Sequence, residues 1–267
     1  RRRHTRYISV TGVQTCALPI LINWSTNANN ALGTGDDGLT VADPYCGIFY
    51  PNGLTTDLNG NAVAVPASHA MLRAFIKNDQ IAYPWYAAAG TRRGLIDNLD
   101  AIGYVDAETG DFVSVGVSQG LRDVMYQHSI NPLTFFQGTG LVNYGNKTLG
   151  TPGTALDRIN VARLVNYIRS LMNTLARPFL FEPNDSITRV QIRQVISSLL
   201  NDLVAKRGIT DYTVVCDDTN NTPFRVANNE LWVDVAIQPT KDVEFIYIPI
   251  RLQSPTSGAT STSGSGA

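Results

Sequence analysis

The chain holds few of the residues on which chemistry at neutral pH depends. Among 267 residues there are three histidines and three cysteines. Cys16, Cys46 and Cys216 lie far apart and none belongs to a CxxC pair. That spacing argues against a disulfide framework or a zinc knuckle, and predicts reduced thiols. Charge is scarce as well: charged residues make up 16% and the formal net charge is −1. Such a balance creates no bulk attraction to nucleic acid or to an anionic membrane surface. No run of 18 apolar residues occurs, so no transmembrane helix is expected. P-loop, HExxH and EF-hand patterns are missing. No cofactor, metal, nucleic acid or membrane partner is therefore expected.

What is present suits a packed core. Apolar residues reach 43%, and the length allows one large or two small domains. The first twenty residues stand apart. Arg1 to Ile20 begins without Met, carries four Arg and no acid, and resembles translated sequencing-adapter sequence. A transit peptide or basic arm is the alternative, since both are Arg-rich and acid-poor. On the adapter reading, residues 1–20 pack against nothing and the native chain extends upstream. Without them the net charge becomes −5, because four Arg go and no acid goes. The remainder alternates in sign. Residues 21–153 carry eleven acids and six bases, 154–208 four acids and eight bases, 209–252 seven acids and three bases. Patches of alternating sign suit a subunit that meets its own copies, or an ordinary solvated surface.

Periodicity sets the expected elements. YCGIFY (Tyr45 to Tyr50), between Pro44 and Pro51, predicts a buried strand. Pro66 and Ser68 open a helix with Met71, Leu72, Phe75 and Ile76 on one face. Ser118 caps a helix carrying Leu121, Val124, Met125 and His128, which Asn131-Pro132 ends. Leu133 to Phe136 and Leu141 to Tyr144 flank a Gly-rich turn and predict a hairpin. Val161, Leu164, Val165, Ile168, Leu171, Met172 and Leu175 predict a helix over 157–176, stopped by Pro178. Asp185 caps a second helix, 185–207, whose stripe is Val190, Val195, Ile196, Leu199, Leu200, Leu203 and Val204, with Gly208 as left-handed cap. Three strands follow: Tyr212 to Cys216, Glu230 to Gln238 and Val243 to Leu252. In the middle one Leu231, Val233, Val235 and Ile237 share a face. The fold class expected is α+β, with a mixed α/β first part and a two-helix layer packed on an antiparallel sheet. Residues 253–267, rich in Ser, Thr and Gly, are expected to be disordered.

A series of short motifs runs through this framework. Asn131-Pro132, Gly140 to Gly145 and Lys147-Thr148-Leu149 precede INVARLVNYIRSLM (Ile159 to Met172) and FEPND (Phe181 to Asp185). YTVVCDDTNN (Tyr212 to Asn221) and VDVAIQPTKDVEFIYI (Val233 to Ile248) follow. In this order they resemble the C-terminal domain of contractile phage tail sheath proteins. Upstream, YCGIFYPNG, AVAVPASHAMLRAFIKND and YPWYAAAGTRRG resemble the end of that family's subtilisin-like domain. The resemblance covers roughly residues 43–250. Met71-Leu72-Arg73-Ala74 and Ala87-Ala88-Ala89-Gly90 depart from the family's usual loops. The domains expected are 21–153, the truncated subtilisin-like part, and 154–252, the sheath C-terminal domain.

The resemblance implies a structural subunit, not an enzyme. It would polymerise around an inner tube and contract to drive that tube through a host envelope. The partners implied are other copies of itself, the tail tube protein, and baseplate and tail terminator proteins. The place implied is the virion tail, with assembly in the host cytoplasm. A tailocin or another contractile injection system is the alternative. Extended arms that add strands to a neighbour's sheet are also implied, and VEFIYIPIRL offers one: Val243, Phe245, Tyr247, Ile248 and Ile250 are the candidate residues. An edge strand within its own subunit is the alternative. Arg158, Arg163, Arg169, Arg189 and Arg193 are candidates for contact with the inner tube. From another class comes a serine hydrolase. Gly116 to Gly120 reads G-x-S-x-G around Ser118, and His69 and His128 are the histidines outside residues 1–20.

Overall fold

The computed structural model describes residues 8–10, 13–17, 43–106 and 109–244. Strands β1 (Ile8–Val10) and β2 (Val13–Ala17) pair antiparallel, and β2 runs parallel to β3 (Cys46–Tyr50). After β3 come the hairpin β4 (Asn52–Thr56) and β5 (Ala62–Val65), helix α1 (Ala67–Ile81) and the single turn α2 (Gly90–Arg93). Strands β6 (Ala101–Val105) and β7 (Phe112–Ser114), helix α3 (Gln119–Gln127) and strands β8 (Ile130–Phe136) and β9 (Gly140–Asn143) complete the first part. One sheet has the order β1-β2-β3-β8-β9 and the other β5-β4-β6-β7.

The apolar run in β3 is buried at every position, as a strand paired on both sides requires. Of residues 1–20, which were expected to pack against nothing, the described strand 13–17 pairs with β3: Gln14 lies opposite Cys46 and Ala17 opposite Phe49. The physical reason is the edge of β3 that faces away from β8. Its backbone donors and acceptors can take an extended segment with little regard to side chains. Helix α1 also differs from expectation. Its buried face is Ala67, Ser68, Ala70, Met71, Ala74, Phe75 and Asn78, while Ile76 is 52% exposed. Met71 and Phe75 share that face with three alanines, while Leu72 is half-buried. Phe75 meets Phe49 edge-on, with ring centroids 6.2 Å apart. Asn131-Pro132 does not end α3. The helix closes at His128, Ser129 takes φ 59°, and Pro132 sits in β8 opposite Tyr50. Its carbonyl accepts from Tyr144 N at 2.8 Å. The predicted hairpin is β8–β9, turned by Gly138 and Gly140, both at positive φ.

The second part is two helices on a two-stranded sheet. Helix α4 (Ile159–Ala176) ends in a 3-10 turn at Arg177–Phe179, which holds Pro178. Helix α5 (Ser186–Ala205) starts at Asp185, whose side chain accepts from Thr188 N at 2.8 Å. Strands β10 (Ile209–Val215) and β11 (Asp234–Pro239) pair antiparallel, separated by the short helix α6 (Pro223–Ala227). Leu164, Ile168, Ile192, Ile196, Leu200, Leu203 and Ile209 form the core here, with Leu231, Val233, Val235 and Ile237 packed against it. The α5 stripe is rotated from the expected one: Ile192 is buried, and Val190 and Val204 are 48% and 37% exposed. Arg207, not Gly208, takes the left-handed conformation after α5. The N–H groups of Arg207 and Gly208 close the helix on Val204 O and Leu203 O. Gly208 packs closely on the second core: a Cβ there would meet the Trp85 ring at 3.3 Å, and the ring would have to shift slightly.

Trp85 and α4 join the two parts. Trp85 Nε1 donates to Lys206 O at 3.1 Å, and its ring lies in the second core although its chain belongs to the first part. Helix α4 gives Ile159 and Ala162 to the first core and Leu164 and Ile168 to the second. No helix among the described residues is long and apolar enough to cross a membrane. Of the candidate arm, Val243 is 80% exposed; Phe245, Tyr247, Ile248 and Ile250, like residues 253–267, lie outside the described residues.

Candidate assembly site

The serine expected either to cap or to attack is a cap. Ser118 Oγ accepts from Leu121 N at 3.4 Å at the start of α3. His128 closes the other end of the same nine-residue helix, roughly 14 Å away at 1.5 Å per residue. His69 is exposed on α1. A nucleophile and its base must meet within hydrogen-bond reach, and among the described residues no hydrogen bond joins Ser118 to either histidine. Ser118→Ala should lower stability by about 0.5–1 kcal/mol, the cost of a weak N-cap. Thermal melting would measure it. A fluorophosphonate probe should label the parent and the variant alike, and label lost with the serine would restore the hydrolase reading.

Five arginines were expected at a tube-facing surface, and the structure separates them. Arg163 is 1% exposed, because it lies on the buried side of α4. Its Nη2 donates to both carboxylate oxygens of Asp79, each at 2.6 Å. Arg189 is 7% exposed; its Nε donates to Asn184 Oδ1 at 3.1 Å and its Nη1 pairs with Asp218. Both arginines face inward within the subunit, which corrects their expected place on the surface. Arg158 precedes α4 and binds Glu244 and Asp157. Arg169 and Arg193 are exposed on the backs of α4 and α5.

Around Arg158 a polar assembly receives the end of the described chain. Thr240 N donates to Gly208 O at 3.2 Å. Asp242 accepts from Asn146 Nδ2 at 3.2 Å. That same amide donates to Asn160 Oδ1 at 2.9 Å, and Asn160 Nδ2 donates to Trp85 O at 3.2 Å. Glu244 accepts from Arg158 Nε at 2.5 Å, Arg158 Nη2 at 3.0 Å and Tyr126 Oη at 2.9 Å. Lys147 covers the Tyr126 ring at 4.1 Å and donates to Tyr126 O at 2.6 Å. Burial, then the charge of Glu244, push the Tyr126 phenol up, so it stays a donor. Burial, then the charge of Arg158, pull Lys147 down. Burial and Glu244 together raise Asp242. A groove of about 340 Å³ opens beside the assembly, lined by Gln119, Arg122, Tyr126, Tyr144 and Glu244 among others.

Beneath it lies a turn built for close approach. Buried Asn131 donates to Ile48 O and Lys147 O and accepts from Lys147 N. A Cβ on Gly145 would come within 2.7 Å of Asn131 Cα. This close approach ties Asn131 to Gly145, two members of the motif series that lie apart in the chain.

Residues 151–253 match the phage tail sheath C-terminal domain family. This segment belongs to that family. The matched residues include α4, α5, β10, α6 and β11 and run on past Glu244. The tail sheath protein of Enterobacteria phage T4 is 32% identical over 256 residues, which cover 94% of this chain and 36% of that protein. The tail sheath protein of Vibrio phage KVP40 is 35% identical over 170 residues, 64% of this chain and 24% of that one. The chain thus spans about a third or less of the length of these relatives. The fold is that of the contracted helical sheath of the anti-feeding prophage, with a TM-score of 0.68 at 18% identity over 82% of this chain and 59% of the other. A PVC sheath from an extracellular contractile injection system gives 0.65 at 22% identity, over 79% and 57%.

Sequence reasoning found the motif residues but not their partners. Tyr126, Asn146, Lys147 and Glu244 carried no signal as a group, since they lie on three separate stretches. The nearest hint was the quoted Lys147-Thr148-Leu149 turn.

Proposed function

We propose that this chain is the C-terminal part of a contractile-tail sheath subunit, which polymerises around an inner tube and contracts to drive it through a host envelope. The observation that carries this reading is the similarity to the T4 tail sheath protein across 94% of the chain. Other copies of the subunit, the tube, and the baseplate and terminator proteins are its partners, and the virion tail is its place. The likeness to the anti-feeding prophage and PVC sheaths supports a second reading, a contractile injection system without a capsid. The work of the subunit is mechanical under both.

Strand exchange is the joint that suits this fold. The sheet of the sheath domain has two described strands, one face of which packs on α4 and α5, and the edge of such a sheet offers backbone donors and acceptors to a further strand. A strand added from a neighbour, by backbone bonds with register set by side chains, completes such a sheet. Val243, Phe245, Tyr247, Ile248 and Ile250 are the donated residues. The contact with the tube falls to Arg169 and Arg193, the exposed members of the expected set. Exposed ion pairs contribute about 0–1 kcal/mol each, which lets the sheath release the tube during contraction. Electron microscopy of the complete subunit expressed alone should show regular tubes. Dispersed monomers under all salt conditions would overturn the reading.

A further inference from the structure

Three alternate residues at the end of the described chain are tied to the subunit's own body. Thr240 binds Gly208, Asp242 binds Asn146, and Glu244 binds Arg158 and Tyr126. Val243 between them is 80% exposed. This alternation is the period of an extended chain with one face anchored and the other offered outward. Val243 shares its parity with Phe245 and Tyr247. The anchor is strongest at Glu244. The guanidinium of Arg158 meets both carboxylate oxygens through Nε and Nη2, a planar fork that fixes direction as well as distance. Asp157 holds the same guanidinium at 3.1 Å. Tyr126 adds its hydroxyl, and Lys147 holds Tyr126 from its ring face. The side chains of Arg158 and Glu244 are 26% and 22% exposed, so water screens the pair only in part. The contacts reach 86 and 118 residues back along the chain.

We infer that Tyr126, Lys147, Asp157 and Arg158 form a clamp on the root of the terminal segment, which sets the direction in which the chain leaves the subunit toward a second copy of itself. The inference rests on the strand-exchange reading above. A donated strand can reach a neighbour's sheet in register only if its root is fixed, because each freely turning residue multiplies the orientations to be lost on docking. A fixed root also makes the arm move with the body when subunits rotate. Arg158 and its partners are positioning residues in this scheme.

The test is a charge swap in the complete subunit. Arg158→Glu and Glu244→Arg should each raise deuterium uptake by the backbone of residues 240–244 about tenfold, as loss of a charged hydrogen-bonded pair implies. Each should also cut the yield of regular tubes. The double variant should recover both readouts in part, since the carboxylate placed at position 158 still lies beside Asp157; loss of helix packing at Arg158 would allow no recovery. Tyr126→Phe, a smaller change, should raise uptake about threefold while the fold stays intact. Parental uptake in both single variants would overturn the clamp. Raised uptake with normal tubes would overturn its role in aiming the chain. Truncation after Glu244 separates this inference from the reading beneath it: tubes made without residues 245–267 would refute strand donation, while uptake at 240–244 still reports the clamp.

Discussion

Truncation after Glu244 is expected to leave a soluble, folded subunit that makes no tubes. The cut spares both cores, since the first is built on β3, β8 and α1 and the second on α4, α5, β10 and Trp85. It also spares the clamp, because Glu244 is retained with Arg158 and Tyr126. The melting temperature should stay within about 3 °C of the parent, in keeping with the small effect of changes outside a core. Assembly should fall below detection in negative-stain images, because on the strand-exchange proposal every joint between neighbours loses its donated strand at once. Regular tubes from the truncated chain would show that the strand is no joint. Insoluble material would show that residues 245–252 belong to the subunit's own core. Ile248→Pro should act in the same direction more weakly, since it deletes one ladder donor beside Pro249 and bends the strand.

The helical half of the fold was legible because its signals are local. The unbroken apolar spacing from Val161 to Leu175 gave α4 to within two residues at its start. Asp185 marked the start of α5 through its own cap geometry. Alternation from Leu231 to Ile237 identified the covered face, although β11 starts only at Asp234, four residues later than expected, and Leu231 and Val233 pack on the core ahead of it. Errors arose where a long-range partner decides the outcome. Arg163 sits among apolar neighbours on α4, and Asp79, 84 residues earlier, explains why. Gly208 reads as a helix cap until Trp85 is placed against it. On α1 the buried face runs through Ala67, Ala70, Met71, Ala74 and Phe75, turned away from the Leu72 and Ile76 side. The assembly site was half visible. The Asn131 and Gly145 motif pointed to a tight turn, but the meeting of Arg158 with Glu244 depends on how the chain returns from β11.

Asp79→Ala is expected to destabilise the subunit by about 3–5 kcal/mol, the usual cost of removing one partner from a buried ion pair. The guanidinium of Arg163 is 1% exposed, bound to both oxygens of Asp79, with Cζ 4.8 Å from the centre of the Phe75 ring. Burial pulls the pKa of Arg163 down, and the charge and hydrogen bond of Asp79 oppose that pull. Without Asp79 the guanidinium keeps the burial and loses the opposing carboxylate. Arg163→Met should cost less, because the side chain of Asp79 is 28% exposed and water can solvate it once the arginine is gone. The double change Asp79→Leu with Arg163→Met should come close to the parent, as apolar replacements of buried pairs do. The order of the three variants is therefore the test, read by urea unfolding of the complete subunit. Equal small losses in both single variants would show that the pair contributes little. A double variant as unstable as Asp79→Ala would show that α1 and α4 need the charges themselves. The expected order follows from the asymmetry of burial alone: the arginine is enclosed, and the aspartate reaches water.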